Sequence, residues 1–165
     1  MGDTCNNTEN EKGNFILTST AFSREKSIPT KYTCEGENIS FPLEWRGFPK
    51  ATKNFALIME DPDAPHGVFV HWVAWGLEKN ISQLKENSSA APGALQQGLN
   101  STHKNGYMGP CPPSGTHRYF VRLYALDIVL NLPKETTKEK LLHAIKGHTI
   151  ATAELMGTYK KIANR

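Results

Sequence analysis

Short apolar runs separated by turn residues fill the first two-thirds of the chain. A compact apolar run over residues 54–60 and a longer run over residues 68–77 predict two strands. The second run is apolar on both alternating faces, which predicts a central strand covered on both sides. Residues 118–126 are dominated by aromatic and β-branched side chains and predict a third long strand.

Shorter segments complete this part of the pattern. Residues 15–17 and 28–34 predict two further strands, with a turn over residues 34–38 and a surface loop over residues 85–93. From Thr137 onward the spacing becomes helical, with two apolar stripes. The first consists of Leu141, Leu142 and Ile145, and the second of Ala151, Leu155, Tyr159 and Ile162. We therefore expect a mostly β domain closed by C-terminal helices.

Size and charge bound the class of protein. A chain of 165 residues predicts one domain, spanning residues 15–165, after a polar, disordered tail over residues 1–14. The net charge of +3 is mild and no segment concentrates Lys and Arg, so no nucleic-acid partner is expected. No apolar run reaches the length of a membrane span. The polar start lacks the apolar core of a signal peptide and favours a cytoplasmic location, although an exported form whose signal has been removed stays open.

The three cysteines indicate little by themselves. Cys5, Cys34 and Cys111 are few and widely scattered, so the sequence predicts no disulfide framework. They form no CxxC pair, which argues against structural zinc. This usage mildly favours a reducing compartment.

Two segments concentrate ionisable side chains beside proline and glycine. The first reads DPDAP from Asp61, directly after a predicted strand. Asp-Pro-Asp is also a common turn, so Asp61 has a purely structural interpretation. His71 follows inside the next apolar run, on one face with Phe69, Val73 and Trp75. A buried imidazole needs a hydrogen-bond partner, and Asp61 is the partner we expect.

The second segment reads GYMGPCPPSGTHRYF from Gly106. His117 and Tyr119 are two positions apart on a strand, so they share a face and offer two donors to a phosphate or carboxylate oxygen. Arg118 faces the other way and is expected to pair with a carboxylate. The loop before them is stiffened by prolines, and the amides of Gly109 and Cys111 are predicted to be available in a preorganised wall.

Three alternatives stay open at these residues. His71 could be an ordinary core histidine, and Tyr119 an anchor with His117 at its rim. Cys111 could be a nucleophile if a histidine lowered its thiol pKa. Asp61, His71 and His117 together have the ligand types for zinc, but no short ligand spacing supports a metal site.

On these residues the chain resembles the phosphatidylethanolamine-binding protein family, and within it the bacterial and archaeal branch of Raf-kinase-inhibitor-like proteins. The similar stretches share order and spacing from about Phe15 to the end of the chain. They are residues 38–40, 42–45, the DPDAP run, 71–73, 106–107, the GPCPP run at 109–113, 115–119 and 153–159.

The resemblance implies an antiparallel β-sandwich with peripheral helices and a small anion pocket. In this chain the pocket positions would be Asp61, His71, Pro112, His117 and Tyr119, with Asp63, Gly109 and Cys111 around them. Cys111 stands where animal members have a glycine. The C-terminal helix that gates the ligand in animal members is not recognisable here, so Tyr159 and its helix are not assigned to the pocket.

These observations favour a non-enzymatic binding or regulatory protein that needs no cofactor and no metal. The expected ligand is a small anion, a phosphorylated or phospholipid head group, or a nucleotide. The resemblance adds a kinase or a serine protease as a candidate protein target, and a homodimer as the assembly. Two alternatives remain: a small hydrolase that uses the His/Asp cluster or Cys111, and an inhibitor whose protein-binding surface lies away from the pocket.

Overall fold

The computed structural model describes residues 14–93 and 95–162, which form two antiparallel sheets. The small sheet has the order β1-β2-β5, and its strands are β1 (Ile16–Thr18), β2 (Leu43–Arg46) and β5 (Gln83–Leu84). The large sheet has the order β6-β4-β3-β7-β8. Its strands are β3 (Asn54–Asp61), β4 (Phe69–Glu78), β6 (Gln96–Gln97), β7 (His117–Leu126) and β8 (Thr149–Tyr159).

The main core lies between the two sheets. Alternate residues of β3, namely Phe55, Leu57 and Met59, are fully buried in this cluster, together with Leu43 and Trp45 of the small sheet. The intervening β3 residues are buried on the other side of the large sheet. A strand covered on both faces must be apolar throughout, which explains why residues 54–60 read as one continuous run.

A single α-helix among the described residues, α1 (Lys138–Ile145), covers that other side. The Thr137 hydroxyl caps it by accepting a hydrogen bond from the Lys140 amide at 3.3 Å. Leu141 and Ile145 pack in a second cluster with Val73 and Trp75 of β4. Two short 3₁₀ helices, Thr30–Tyr32 and Ser88–Ala90, lie in connecting loops.

The predicted mostly β, antiparallel fold is confirmed, and so are the three long strands and the helix after Thr137. The second C-terminal helix is wrong, because three of the four residues of its apolar stripe lie on β8 and the fourth, Ile162, follows that strand and is exposed. Ala153, Leu155 and Tyr159 are buried there at alternate positions. The strand expected over residues 28–34 is also wrong. That segment contains the 3₁₀ helix at Thr30–Tyr32 instead.

A β-bulge interrupts the pairing of β3 with β4. Met59 pairs with Trp72 and Glu60 pairs with Val70, which leaves His71 as an extra residue. A bulge bends the strand and re-aims a side chain. Val73 therefore packs under α1, whereas the His71 ring lies 4.7 Å from the Phe69 ring and 5.2 Å from the Tyr119 ring. Our expectation that His71 shares a face with Val73 and Trp75 is wrong.

One disulfide joins two loops that are 77 residues apart in the sequence, at Cys34 and Cys111. The cysteine count predicted no disulfide framework, and a single bridge between scattered cysteines corrects the inference of reduced thiols. Cys5 lies outside the described residues, as does the predicted tail apart from Asn14.

Candidate functional site

The candidate site lies where three strands of the large sheet begin or end. Asp61 ends β3, and His117 begins β7. Asp61 pairs with Phe69 at the start of β4, two residues before His71, while Glu60 pairs with Phe120 of β7. Antiparallel pairing therefore brings these three ionisable side chains to one edge of the sheet, although they are separated along the chain.

Asp61 and His117 form a buried pair. The Asp61 Oδ2 lies 2.6 Å from the His117 Nδ1, and the two side chains are 5% and 8% exposed. The other carboxylate oxygen of Asp61 accepts a hydrogen bond from the Asp63 amide at 2.7 Å. Asp61 thus both holds the turn and orients an imidazole. The imidazole is that of His117, so the expected Asp61–His71 pair is wrong.

His71 is bound instead to the backbone of Met108. The His71 Nδ1 donates to the Met108 carbonyl at 2.6 Å, and the Met108 amide donates to the His71 carbonyl at 2.9 Å. A carbonyl only accepts, so the Nδ1 carries the proton. Burial lowers the pKa of His71 to about 4, against the favourable effect of the Met108 carbonyl. At neutral pH the ring is therefore uncharged.

Tyr119 is buried, and its hydroxyl has no hydrogen-bond partner of normal geometry among the described residues. Burial raises the pKa of this phenol and the nearby Asp61 carboxylate raises it further, while the backbone N–H of Cys111, which approaches the hydroxyl oxygen, acts to lower it. The proton of the hydroxyl still has no acceptor of normal geometry. An orphaned buried hydroxyl costs about 1–3 kcal/mol, so such groups call for an explanation. A ligand that accepts this hydrogen bond would supply one.

The loop over residues 107–112 forms a wall of the site and is fastened to the segment over residues 32–38. The Gly109 amide donates to the Asn38 Oδ1 at 2.8 Å, so it is not the free donor we expected. Gly109 must also be a glycine, because a Cβ there would come within 2.2 Å of the Tyr32 carbonyl oxygen. Pro112 is buried in the same wall. Cys111 is held in the disulfide and has no thiol to act as a nucleophile.

Asp63 binds Arg118 at the exposed margin of the site. One Asp63 oxygen accepts from both the backbone amide and the Nε of Arg118 at 2.9 Å, and the other accepts from Nη2 at 2.9 Å. The guanidinium holds the pKa of Asp63 down at about 2. The predicted carboxylate partner of Arg118 is confirmed. Asp63, with its oxygens engaged, positions the start of β7.

A cavity of about 460 Å³ lies elsewhere, between β1 and β8, and none of the eight predicted site residues lines it. Within residues 14–93 and 95–162, no three or more His, Cys, Asp and Glu side chains are grouped to hold a metal ion. The three side chains of the zinc alternative therefore do not form such a group. No helix in the part of the chain that the structure describes is long and apolar enough to cross a bilayer.

Sequence comparison identifies the class of protein. Residues 18–160 match the family model described as phosphatidylethanolamine-binding protein. The chain therefore belongs to the phosphatidylethanolamine-binding protein family, as the sequence motifs predicted.

Individual relatives agree with this assignment. A UPF0098 protein of Methanothermobacter thermautotrophicus is 48% identical over 148 residues, which cover 88% of this chain and 98% of the relative. The crystal structure of a putative phosphatidylethanolamine-binding protein homologue from Chlamydia trachomatis superposes with a TM-score of 0.84 at 47% identity, covering 89% of this chain and 97% of that one. Escherichia coli YbcL gives a TM-score of 0.83 at 28% identity, covering 90% and 99%.

Three residues of the site were not found from the sequence. The Met108 carbonyl binds His71, the Asn38 side chain binds the Gly109 amide, and Cys34 anchors Cys111. A backbone carbonyl leaves no signal in a sequence. Asn38 did carry a sequence signal. Asn tolerates the left-handed backbone conformation, which this residue adopts with a φ of 58°.

Proposed function

We propose that this protein binds a small phosphate-like anion, free or as a phosphorylated head group, among Tyr119, His117 and the loop over residues 109–112. The observation that carries the proposal is the buried Tyr119 hydroxyl, which has no hydrogen-bond acceptor of normal geometry. Its ring lies 5.2 Å from the His71 ring, on the strand that also carries the Asp61-bound His117. An anion oxygen would accept from this phenol and so satisfy a donor that otherwise has no partner.

His117 would contribute its second ring nitrogen. With its Nδ1 turned to Asp61 at 2.6 Å, its Nε2 is the ring nitrogen left for a ligand. Neutral His71 would line the site without charging it. Because few groups contact the anion and little apolar area is buried, affinity for free phosphate should be in the millimolar range.

The test is a titration with inorganic phosphate and with phosphoethanolamine, followed by the imidazole resonances of His71 and His117. We expect both resonances to shift, and Tyr119→Phe to weaken binding by about fivefold to tenfold, since one hydrogen bond to an anion is lost. Tyr124→Phe, on the same strand, is the matched control and should bind as the wild type does. Tyr119→Phe should also be at least as stable as wild type, because it removes a buried unsatisfied hydroxyl.

The proposal fails if neither ligand moves either histidine resonance at millimolar concentration. It also fails if Tyr119→Phe and Tyr124→Phe bind phosphate equally.

The Asp61–His117 pair also supports a second candidate, a small hydrolase in which His117 acts as general base. The Cys111 form of that hypothesis lacks its nucleophile, because the sulfur is in the disulfide. The His/Asp form predicts turnover of an ester or phosphoester that disappears in His117→Ala. A broad substrate panel without turnover would remove it and leave a non-enzymatic binding protein.

Nucleotides, a kinase or serine protease target, and a homodimer remain predictions that rest on the family. A cytoplasmic location is likewise a prediction. The Cys34–Cys111 disulfide stands against it, because disulfides persist mainly in oxidising compartments.

A further inference from the structure

The Cys34–Cys111 disulfide is part of the wall of the candidate site. Cys111 lies at the centre of the Gly109–Pro113 loop, and Cys34 lies in the turn after the 3₁₀ helix at Thr30–Tyr32. We propose that this disulfide is a thiol–disulfide exchange site whose state sets the affinity of the anion pocket. The inference rests on the proposed function and adds a covalent modification to it.

The bridge is the covalent contact between Cys111 and the loop that carries Cys34. Three hydrogen bonds also join the two loops: Tyr107 Oη to the Tyr32 carbonyl at 2.7 Å, the Gly109 amide to Asn38 at 2.8 Å, and the Cys34 amide to the Pro110 carbonyl at 3.1 Å. All three involve loop residues that precede Cys111. Reduction would therefore leave the first half of the loop fastened and remove the covalent tie of the residue that follows, whose backbone also contacts Tyr119.

Cys111 in turn acts on the group that we assign to the ligand. The backbone of Cys111 lowers the pKa of the Tyr119 phenol, against burial and the Asp61 carboxylate, which raise it. The position of Cys111 thus helps to set the environment of the orphaned hydroxyl. In the reduced protein, binding would have to order Cys111 again. An ordering cost of this kind weakens affinity by about threefold to tenfold.

The location of the bridge distinguishes a disulfide that regulates the pocket from one that stabilises the core. Both cysteines are half-buried rather than buried, so the bridge is not enclosed in the core. Both lie in loops, and neither belongs to the cluster between the sheets or to the cluster under α1. We therefore expect the sheets to stay folded when the bridge opens.

The exchange needs a dithiol as reductant. One dithiol thiolate attacks a sulfur of the bridge, forms a mixed disulfide and expels the other cysteine as a thiolate. The second thiol of the reductant then attacks the reductant's own sulfur in the mixed disulfide. This step expels the second cysteine of the protein as a thiolate and leaves the reductant as a cyclic disulfide. Two electrons pass from the dithiol to the protein, and two protons end on Cys34 and Cys111.

The experiment uses the full chain with Cys5→Ser, so that the two cysteines of the bridge are the only thiols that remain. Phosphate affinity is measured from the His71 and His117 resonances before reduction with dithiothreitol, after it, and after reoxidation. Cys34→Ser in the same background breaks the bridge without substituting a residue of the pocket loop. Alkylation and mass spectrometry report the fraction reduced, and spectral dispersion reports the fold.

We expect the dissociation constant for phosphate to rise about threefold to tenfold on reduction and to recover on reoxidation. Cys34→Ser should match the reduced protein and no longer respond to dithiothreitol. Equal affinity in the oxidised and reduced forms would overturn the exchange site and leave the anion pocket standing. Global unfolding on reduction would also overturn it, since the bridge would then be a structural staple. No binding to either form would overturn the proposed function, and the inference with it.

Discussion

Glu60 and Asp61 are neighbours on β3, yet their carboxylates lie in opposite kinds of surroundings. Glu60 faces outward, where Arg122 Nη1 donates to it at 2.6 Å and Lys138 also binds it. Asp61 faces the site, where its partner is the imidazole of His117. Arg and Lys stay charged at any ordinary pH, whereas an imidazole can gain or lose a proton.

The two sides also differ in how completely their polar groups are satisfied. On the outer face, Arg122 binds Glu154 at 3.0 Å as well as Glu60, and its guanidinium lies over the Phe120 ring. On the site face, the Tyr119 hydroxyl is left without a partner. A saturated network of fixed charges stabilises a sheet but binds nothing further. The site face has a buried Asp61–His117 pair and a spare donor, which are what an anion would use.

The largest expected effect comes from removing the two carboxylates in turn. Asp61→Ala should lower the free energy of unfolding by about 3 kcal/mol, because it breaks a buried pair and leaves the Asp63 amide without its acceptor. Glu60→Ala should cost only about 1 kcal/mol, because Arg122 keeps Glu154 and the pairs are partly exposed. Denaturant unfolding measures both. Equal losses would contradict the contrast between the two faces.

The next effect is a pH dependence that His71 gives to stability. Its pKa of about 4 in the folded protein lies below its ordinary value of 6.5, so the unfolded chain binds a proton more readily between these values. Stability should therefore fall as pH drops from about 6.5 to about 4, by up to about 3 kcal/mol from this group.

The measurement compares the pH dependence of the free energy of unfolding between wild type and His71→Gln. The comparison is needed because other groups titrate in the same pH range. Glutamine can still donate to the Met108 carbonyl but has no proton to gain. We expect a shallower loss of stability in the variant between pH 6.5 and 4. Parallel curves for the two proteins would show that His71 is not held neutral.

The smallest effect belongs to the exposed margin. Asp63→Asn should lower the free energy of unfolding by less than about 1 kcal/mol, because the Asp63 and Arg118 side chains are 28% and 51% exposed. The pKa of Asp63 is lowered from 3.8 to about 2, so its contribution is present above 3.8 and is lost as pH falls through 2. The measurement is acid unfolding of wild type and of Asp63→Asn. A loss of stability as large as that of Asp61→Ala would mean that the exposed Asp63–Arg118 pair contributes as much as a buried pair does.

The sequence predicted the elements whose pattern has a single interpretation. Residues 55–59 are apolar without interruption, and a buried strand is the structure that fits so short a run. The stripe at Ala151, Leu155 and Tyr159 had two interpretations. Residues four apart lie on one face of a helix, about one turn apart, and they also lie on one face of a strand, where the side chains alternate with a period of two. Ala153 and Gly157, buried at the intervening positions, belong to the strand pattern.

The sequence predicted which side chains come together better than it predicted how they pair. Motif order identified Asp61, His71, His117 and Tyr119, but which carboxylate met which imidazole depended on a register that no residue type encodes. The extra residue in β4 sends His71 to the Met108 carbonyl and leaves Asp61 to His117. The disulfide was equally hidden, since its cysteines meet only after two distant loops have folded together.

The pairing of β4 with β3 shifts twice, once at His71 and once between Ala74 and Leu77, and each shift reverses the phase of β4. At His71 the shift lets the rings of Phe69 and His71 lie 4.7 Å apart while the next residue, Trp72, is buried between the sheets. Deleting one residue here would remove this shift and exchange inside for outside along one segment. The geometry of the pocket therefore depends on the number of residues in this part of β4. Side-chain replacements on a regular strand would not reproduce it.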